Sequence, residues 1–254
     1  RFALADQQAD ASEAGERSNR QDSGAGQERR AFAGGRFDRN VRAFGRQGQR
    51  RLEQVTVGIV GVGGLGSLVA EQLARLGVED LVLVDPDIVA ESNLSRLAGA
   101  YDHHVGAPKV AAVREHLWQC GPDSLSIDAV QAPVQERTEV LDRCDIVVGA
   151  VDSVTARSVC NEYAVKQLTY YIDAGVRIDT DPTVSQTDGE GTDPQSADEQ
   201  TVEMTGYVHL VAPGSNACFD CLGRHDQAAA RIEQLSPAER ETEREYLACL
   251  DPRR

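Results

Sequence analysis

The chain is 254 residues long, carries 41 Asp and Glu against 26 Lys and Arg for a net charge of −15, and contains six cysteines. That length suits one sizeable core, or one domain with decorations. No apolar run reaches membrane-spanning length and no leader pattern opens the chain; the acidity would repel a nucleic-acid backbone, and the cysteines are too scattered for a disulfide scaffold, so a soluble cytoplasmic protein is expected.

Residues 1–35 are rich in Ala, Gln, Gly, Asp, Glu and Arg with hardly any large apolar side chain, the composition of a disordered tail or linker. The globular domain is expected over 36–254. It opens with Arg36-Phe37-Asp38-Arg39-Asn40-Val41-Arg42, a basic and partly apolar stretch that reads as an amphipathic helix with solvated arginines. The β-branched run 55–60 predicts a buried strand, and the spacing of Leu65, Leu68, Val69, Leu73 and Leu76 predicts a helix packed on it. A second strand, 81–85, ends at Asp85 and completes a βαβ unit.

Between the first strand and its helix lies Gly61-Val62-Gly63-Gly64-Leu65-Gly66. Gly61 suits a tight exit from the strand, Gly63 a close backbone approach to a phosphate, and Gly66 contact of helix and strand with no side chain between them. Free N–H groups and the helix dipole then face an anion, and Asp85 stands where such a fold holds a ribose hydroxyl. This much predicts a nucleotide with phosphates; taken alone it also fits an NAD-dependent oxidoreductase.

Pro108 before the apolar-periodic run Val110, Val113, Leu117, Trp118 puts Lys109 in the first turn of the next helix. A lysine there opposes the helix dipole unless an anion shares the site. Lys109 and Lys166 are the chain's only lysines. Lys109 is therefore read as a phosphate ligand, with an ordinary surface lysine as the alternative. Residues 126–130 read as a third strand, and 144–150, unbroken in apolar character, as a central fourth. Asp152 follows directly, in the crevice beside the glycine loop. A helix N-cap is its other reading, and the two are compatible.

Residues 170–176 read as a fifth strand. The segment 179–203 carries eight acidic and no basic residues among many Gly, Ser, Thr and Pro. It predicts a mobile loop, either a lid or docking loop or a solvated insertion. A short strand returns at 207–211. In the last part, 213–254, Cys218-Phe219-Asp220-Cys221 suits two thiolates of a tetrahedral zinc site, which needs four ligands in all, with only Cys249 following. A redox or acyl-accepting cysteine and two buried thiols are the other readings. Residues 227–244 read as charged helices.

Taken together, several motifs in one register resemble the ThiF/MoeB/HesA group of ubiquitin-activating-enzyme-like adenylyltransferases, from Arg36 to about Leu247. They are the lead-in 36–39, the loop 61–66, Asp85-Pro86-Asp87-Ile88-Val89 with Ser92-Asn93-Leu94-Ser95-Arg96, Gly106 to Lys109, Asp152 with Arg157, and Cys218 with Cys221. The resemblance implies an α/β, Rossmann-like, mostly parallel sheet with helices on both faces and a short antiparallel C-terminal part. It implies an enzyme that uses ATP and magnesium to convert the C-terminal glycine carboxylate of a ubiquitin-like or sulfur-carrier protein ending in Gly-Gly into an acyl-adenylate. By the same resemblance Arg96 and Lys109 bind phosphates, Asn93 positions them, the loop with Gly63 and Gly64 cradles them, Asp85 takes the ribose and Asp152 holds magnesium. Cys218 and Cys221 form half of a zinc site, and Arg39 reaches into the partner subunit's site in a homodimer. Leu97 stands where a glutamine is common in the group. The family's later strands and second C-x-x-C are not found before Arg254, so the chain reads as truncated. A relative acting on a non-protein carboxylate is the alternative within the group.

Overall fold

A computed structural model describes residues 35–180 and 202–223, together with Glu233 and Leu235. The expected N-terminal tail apart from Gly35, the middle of the acidic segment, the charged helices at 227–244 apart from Glu233 and Leu235, and Cys249 lie outside the described residues.

The elements are α1 (Asp38–Gln54), β1 (Thr56–Val60), α2 (Gly64–Leu76), β2 (Asp80–Val84), α3 (Lys109–Cys120), β3 (Ser126–Val130), β4 (Ile146–Gly149), α4 (Val154–Gln167), β5 (Tyr170–Thr180) and β6 (Val202–Val211). They form one six-stranded sheet in the order β3-β2-β1-β4-β5-β6. All neighbours pair in parallel except β5 with β6. Side chains alternate across the strands, so each strand feeds two cores. Ile59, Leu81 and Leu83 pack with Ala70, Ala74, Val113 and Leu117 on one face. Val60, Val82, Val147 and Tyr171 pack with Ala156, Cys160 and Ala164 on the other. Helices on both faces of a mostly parallel sheet are the expected α/β architecture. The strand order reverses between β1 and β4, which opens a crevice at their carboxyl ends.

Three local expectations are corrected. The fully buried residues of α2 are Gly66, Ser67, Ala70 and Ala74, small residues that let the helix lie close on β1; of the expected stripe Val69 and Leu73 pack half-buried against the core, while Leu68 and Leu76 are exposed. Trp118 faces solvent beneath the guanidinium of Arg114, 5.1 Å from its ring centroid. The β5–β6 ladder runs on through Asp179↔Glu203 and Thr180↔Val202, so strand pairing extends into both ends of the segment that composition predicts as a loop. The lead-in is helical as expected, with a kink at Gly45 (φ +73°).

Candidate active site

The glycine loop is built for a sharp exit and a close approach. Gly61 has φ +84°, and a Cβ on Gly66 would stand 1.8 Å from the Gly61 carbonyl oxygen. No side chain caps the start of α2 and no acid lies in its first turn, leaving its N–H groups for an anion. Gly63 has open space on its Cβ side.

A cavity of about 480 Å³ lies between this loop and the carboxyl ends of β2 and β4. Gly61, Gly63, Gly64, Asp85, Arg96, Lys109 and Asp152 all contribute to its wall. Asn93 joins Gly63, Gly64, Arg96 and Lys109 around a small recess beside it. Sequence-predicted residues from four separate stretches therefore meet in one place.

Their individual settings differ. Asp85 is buried, and its two oxygens accept the N–H groups of Val62 (2.8 Å) and Asp87 (2.9 Å). Burial pushes its carboxyl above the usual range, against these bonds and the nearby Lys109. Asp85 thus pins the glycine loop to the end of β2, and each oxygen keeps a further lone pair. Asn93 accepts the Ala90 N–H at 3.1 Å. Arg96 is exposed, donates to the Ser92 carbonyl at 2.8 Å, and lays its aliphatic stem over Gly64.

Lys109 is the first residue of α3, as the proline signal predicts. Its ammonium is held by Asp87 Oδ2 at 2.7 Å. Asp87, within the Asp85-Pro86-Asp87 motif, also lines the cavity, a contact that the spacing of the sequence does not signal. At Asp152 the N-cap reading is overturned: Ser153 is the cap, its Oγ accepting the Ala156 N–H at 3.2 Å. The exposed Asp152 carboxylate makes no hydrogen bond or ion pair among the described residues.

The start of α4 is already occupied. The Glu233 carboxylate accepts Ser153 Oγ–H (2.8 Å) and the N–H groups of Val154 (2.7 Å) and Thr155 (2.9 Å). Burial works against its ionisation, but the Thr155 and Val154 N–H groups outweigh it and hold the carboxyl below the usual range. No sequence signal points to this contact, since its partners stand about eighty positions apart.

The cavity opens into a wider groove of about 1040 Å³, which shares Gly64, Arg96, Ala150, Val151 and Asp152 and continues past Leu68, Val176 and Tyr207. Arg157 braces this junction, donating to the Val151 carbonyl (2.6 Å) and to buried Asp173 Oδ1 (2.9 Å), which also accepts the Tyr171 hydroxyl (2.8 Å).

Two sets of predicted residues lie elsewhere. Arg39 is exposed on α1; its neighbour Asn40 donates to the Leu76 carbonyl (3.1 Å), at the opposite end of α2 from Gly64. That is about 18 Å from the loop along the helix, outside this chain's own cavity. Cys218 and Cys221 place their sulfurs 3.7 Å apart, in a knuckle pinned by Asn161, which accepts the Phe219 N–H and donates to Asp220. Cys221 is exposed and Cys218 half-buried, which overturns the reading of two buried thiols. The Cys221 N–H holds the Cys218 thiol below its usual range. Two zinc–thiolate bonds at the tetrahedral angle set sulfurs about 3.8 Å apart, so the pair fits such an ion.

A switch-point crevice lined by a glycine loop and fixed cations defines a nucleotide-binding α/β domain suited to phosphate chemistry. Residues 37–246 match the ThiF family, and the chain belongs to that family. It is 38% identical over 120 residues to the SAMP-activating enzyme E1 of Haloferax volcanii, covering 46% of this chain and 44% of that protein. It is 36% identical over 130 residues to the molybdopterin-synthase adenylyltransferase of Escherichia coli, covering 50% and 52%. In fold it matches the crystal structure of E. coli MccB with ATP at a TM-score of 0.57 and 22% identity, over 80% of this chain and 57% of that one. The chain spans about half the length of these two curated relatives. No helix among the described residues is long and apolar enough to cross a membrane.

Proposed function

We propose that the chain is an ATP-dependent adenylyltransferase that activates the C-terminal glycine carboxylate of a ubiquitin-like or sulfur-carrier protein ending in Gly-Gly. The observation that carries this reading is the junction of two chambers at Arg96 and Asp152, one sized for a nucleotide and the other an open groove. An α-phosphate at that junction is within reach of a carboxylate entering from the groove. The carboxylate oxygen bonds to the α-phosphorus, the bond to the oxygen bridging the β-phosphate breaks, and pyrophosphate leaves with the electron pair.

Both reactants are anions, so the chemistry calls for placed cations rather than a covalent nucleophile. Arg96 and Lys109 balance the phosphate charge, Lys109 exchanging Asp87 for a phosphate oxygen. Asn93 orients the phosphates from its recess, and Asp85 accepts ribose hydroxyls on its remaining lone pairs. Asp152, without a partner among the described residues and at the strand end, suits magnesium, which supplies charge neutralisation on the transferring group when bound. Cys218 and Cys221 supply two donors of a structural zinc site. Arg39, away from this chain's own cavity, serves the partner's site in a homodimer. The five free thiols among the described residues suit the cytoplasm. Hydride transfer from NAD would leave Asn93, Arg96, Lys109 and Asp152 without a role.

ATP–pyrophosphate exchange against a panel of small Gly-Gly proteins, with NAD binding measured in parallel, tests the proposal. Exchange that depends on one carrier is the expected result. NAD binding with no exchange for any carrier would overturn it.

A further inference from the structure

Away from the nucleotide cavity, α2 and α3 bring three metal-ligating side chains together. Glu71 of α2 and His116 and Cys120 of α3 hold one donor atom each within 4.8 Å of one another, and all three are half-buried. His116 and Cys120 are four residues apart and so share a helix face. His116 Nε2 lies 3.0 Å from Glu71 Oε2, while the other Glu71 oxygen is held by Arg75 Nε at 2.7 Å. The imidazole has little freedom: Gly99 (φ +79°) abuts it so closely that a Cβ there would stand 2.2 Å from His116 Cβ and Cγ. Cys120 closes α3, where the negative end of the helix dipole favours a cation.

We propose that Glu71, His116 and Cys120 bind a borderline-soft divalent cation of the zinc type, forming a staple between α2 and α3. One nitrogen, one sulfur and one oxygen donor are the ligand types zinc accepts, with water completing a tetrahedron. Bonds of about 2.0–2.3 Å require donor atoms about 3.3–3.8 Å apart, so the Glu71–His116 contact opens by only about 0.5 Å on binding. Nε2, which donates to Glu71 in the metal-free site, loses its proton to water on binding, and His116 ligates through that lone pair as the neutral imidazole with its proton on Nδ1. Cys120 ligates as thiolate, its proton passing to water, and Glu71 through Oε2. Arg75 stays on Oε1 and orients the carboxylate, the outer-shell role that tunes metal sites. The glycine loop starts α2 and Lys109 starts α3, so the staple fixes the spacing of the two helix ends that face the nucleotide.

The site is separate from Cys218 and Cys221, which pack on α4. Cobalt(II) titration of the chelator-treated full chain, read by thiolate-to-cobalt charge-transfer absorption, distinguishes them. In a Cys218→Ser/Cys221→Ser chain one equivalent of cobalt should still give the band, and zinc should displace it. Adding Cys120→Ser should abolish the band. Arg75→Gln should weaken binding about 10-fold, as loss of an outer-shell partner does. Zinc should raise the melting temperature of the natural chain, and His116→Gln should reduce that rise. If the double variant fails to fold, Cys120→Ser in the natural chain must lower the cobalt stoichiometry by one. Absence of the band in a folded double variant, or a Cys120→Ser chain with unchanged stoichiometry and band, would overturn the proposal.

Discussion

Alanine at Gly66 and alanine at Gly63 separate what the glycine loop does for the fold from what it does for the nucleotide. A Cβ at position 66 would lie 1.8 Å from the Gly61 carbonyl oxygen and 2.9 Å from its carbon, main-chain atoms that cannot rotate aside. Real Cβ contacts stop near 3.0 Å, so the start of α2 must slide off β1 by about 1 Å. Overpacking of this kind costs up to about 3 kcal/mol, and alanine's higher helix propensity returns about 1. The net loss of about 2 kcal/mol corresponds to a fall in Tm of roughly 4–8 °C for a chain of this size. At Gly63 an added Cβ meets nothing within 4 Å and φ is −68°. Stability there should stay within about 0.5 kcal/mol. The methyl group would instead project where the backbone faces the cavity, and a loss of about 1.4 kcal/mol in ATP binding is tenfold in Kd. Guanidinium denaturation and calorimetric ATP titration of both variants check this. A Gly66→Ala chain as stable as the natural one, or a Gly63→Ala chain that is destabilised yet binds ATP normally, would refute the reasoning.

Lys109→Ala and Arg96→Ala should each lower carrier-dependent pyrophosphate exchange by about 100-fold or more while leaving the denaturation midpoint nearly unchanged; near-normal turnover in either would remove that residue from phosphate binding. Asp152→Ala should abolish exchange and its magnesium dependence without loss of stability, whereas Ser153→Ala, which removes the true cap, should cost about 1 kcal/mol in the same denaturation assay. Because the folded Glu233 carboxyl sits below its unfolded value near 4.5, its contribution to stability is present above that pH and lost as pH falls through the folded value. The midpoint difference between the natural chain and Glu233→Gln should therefore shrink as pH is lowered below about 4.5, and a difference independent of pH would count against the contact.

The sheet was legible because its central strands are buried on both faces and so read as unbroken apolar runs. Ile59 and Val60 enter opposite cores, as do Leu83 and Val84, which is why neither β1 nor β2 alternates with polar residues. The face of α2 was legible only in part: Val69 and Leu73 pack on the core as the periodicity implies, but hydrophobic periodicity weights large side chains, whereas the fully buried contact is made by Gly66, Ser67, Ala70 and Ala74. What decides that face is close approach to β1, and the glycine spacing signals this more directly than the leucines do. The ends of the β5–β6 hairpin escaped for a related reason. Ladder hydrogen bonds join main-chain groups, so pairing continues from Gly175↔Tyr207 to Thr180↔Val202 through residues whose composition suggests a loop.

In the site, the residues that could be placed from sequence are those that topology places. Strand carboxyl ends converge at the switch point, so Gly61 after β1, Asp85 after β2 and Asp152 after β4 meet without any pairwise information. Contacts between side chains from different elements carry no such rule. Lys109 and Asp87 are 22 positions apart, and only the folded chain brings Nζ to Oδ2. Yet the need for such a partner follows from electrostatics. A lysine at a helix N-terminus faces the positive end of the dipole, a disadvantage of about 0.3–1 kcal/mol. In a chain of net charge −15, a cavity that binds a nucleotide, as proposed, must also attract an anion that the molecule as a whole repels. Asp87 meets the first requirement by holding the ammonium, and on the proposed reading a phosphate takes its place. It is itself largely exposed, so the pair is weak enough for a polyphosphate to displace. On the proposed reading the cation stays at the start of α3 in either state, and only its anionic partner changes.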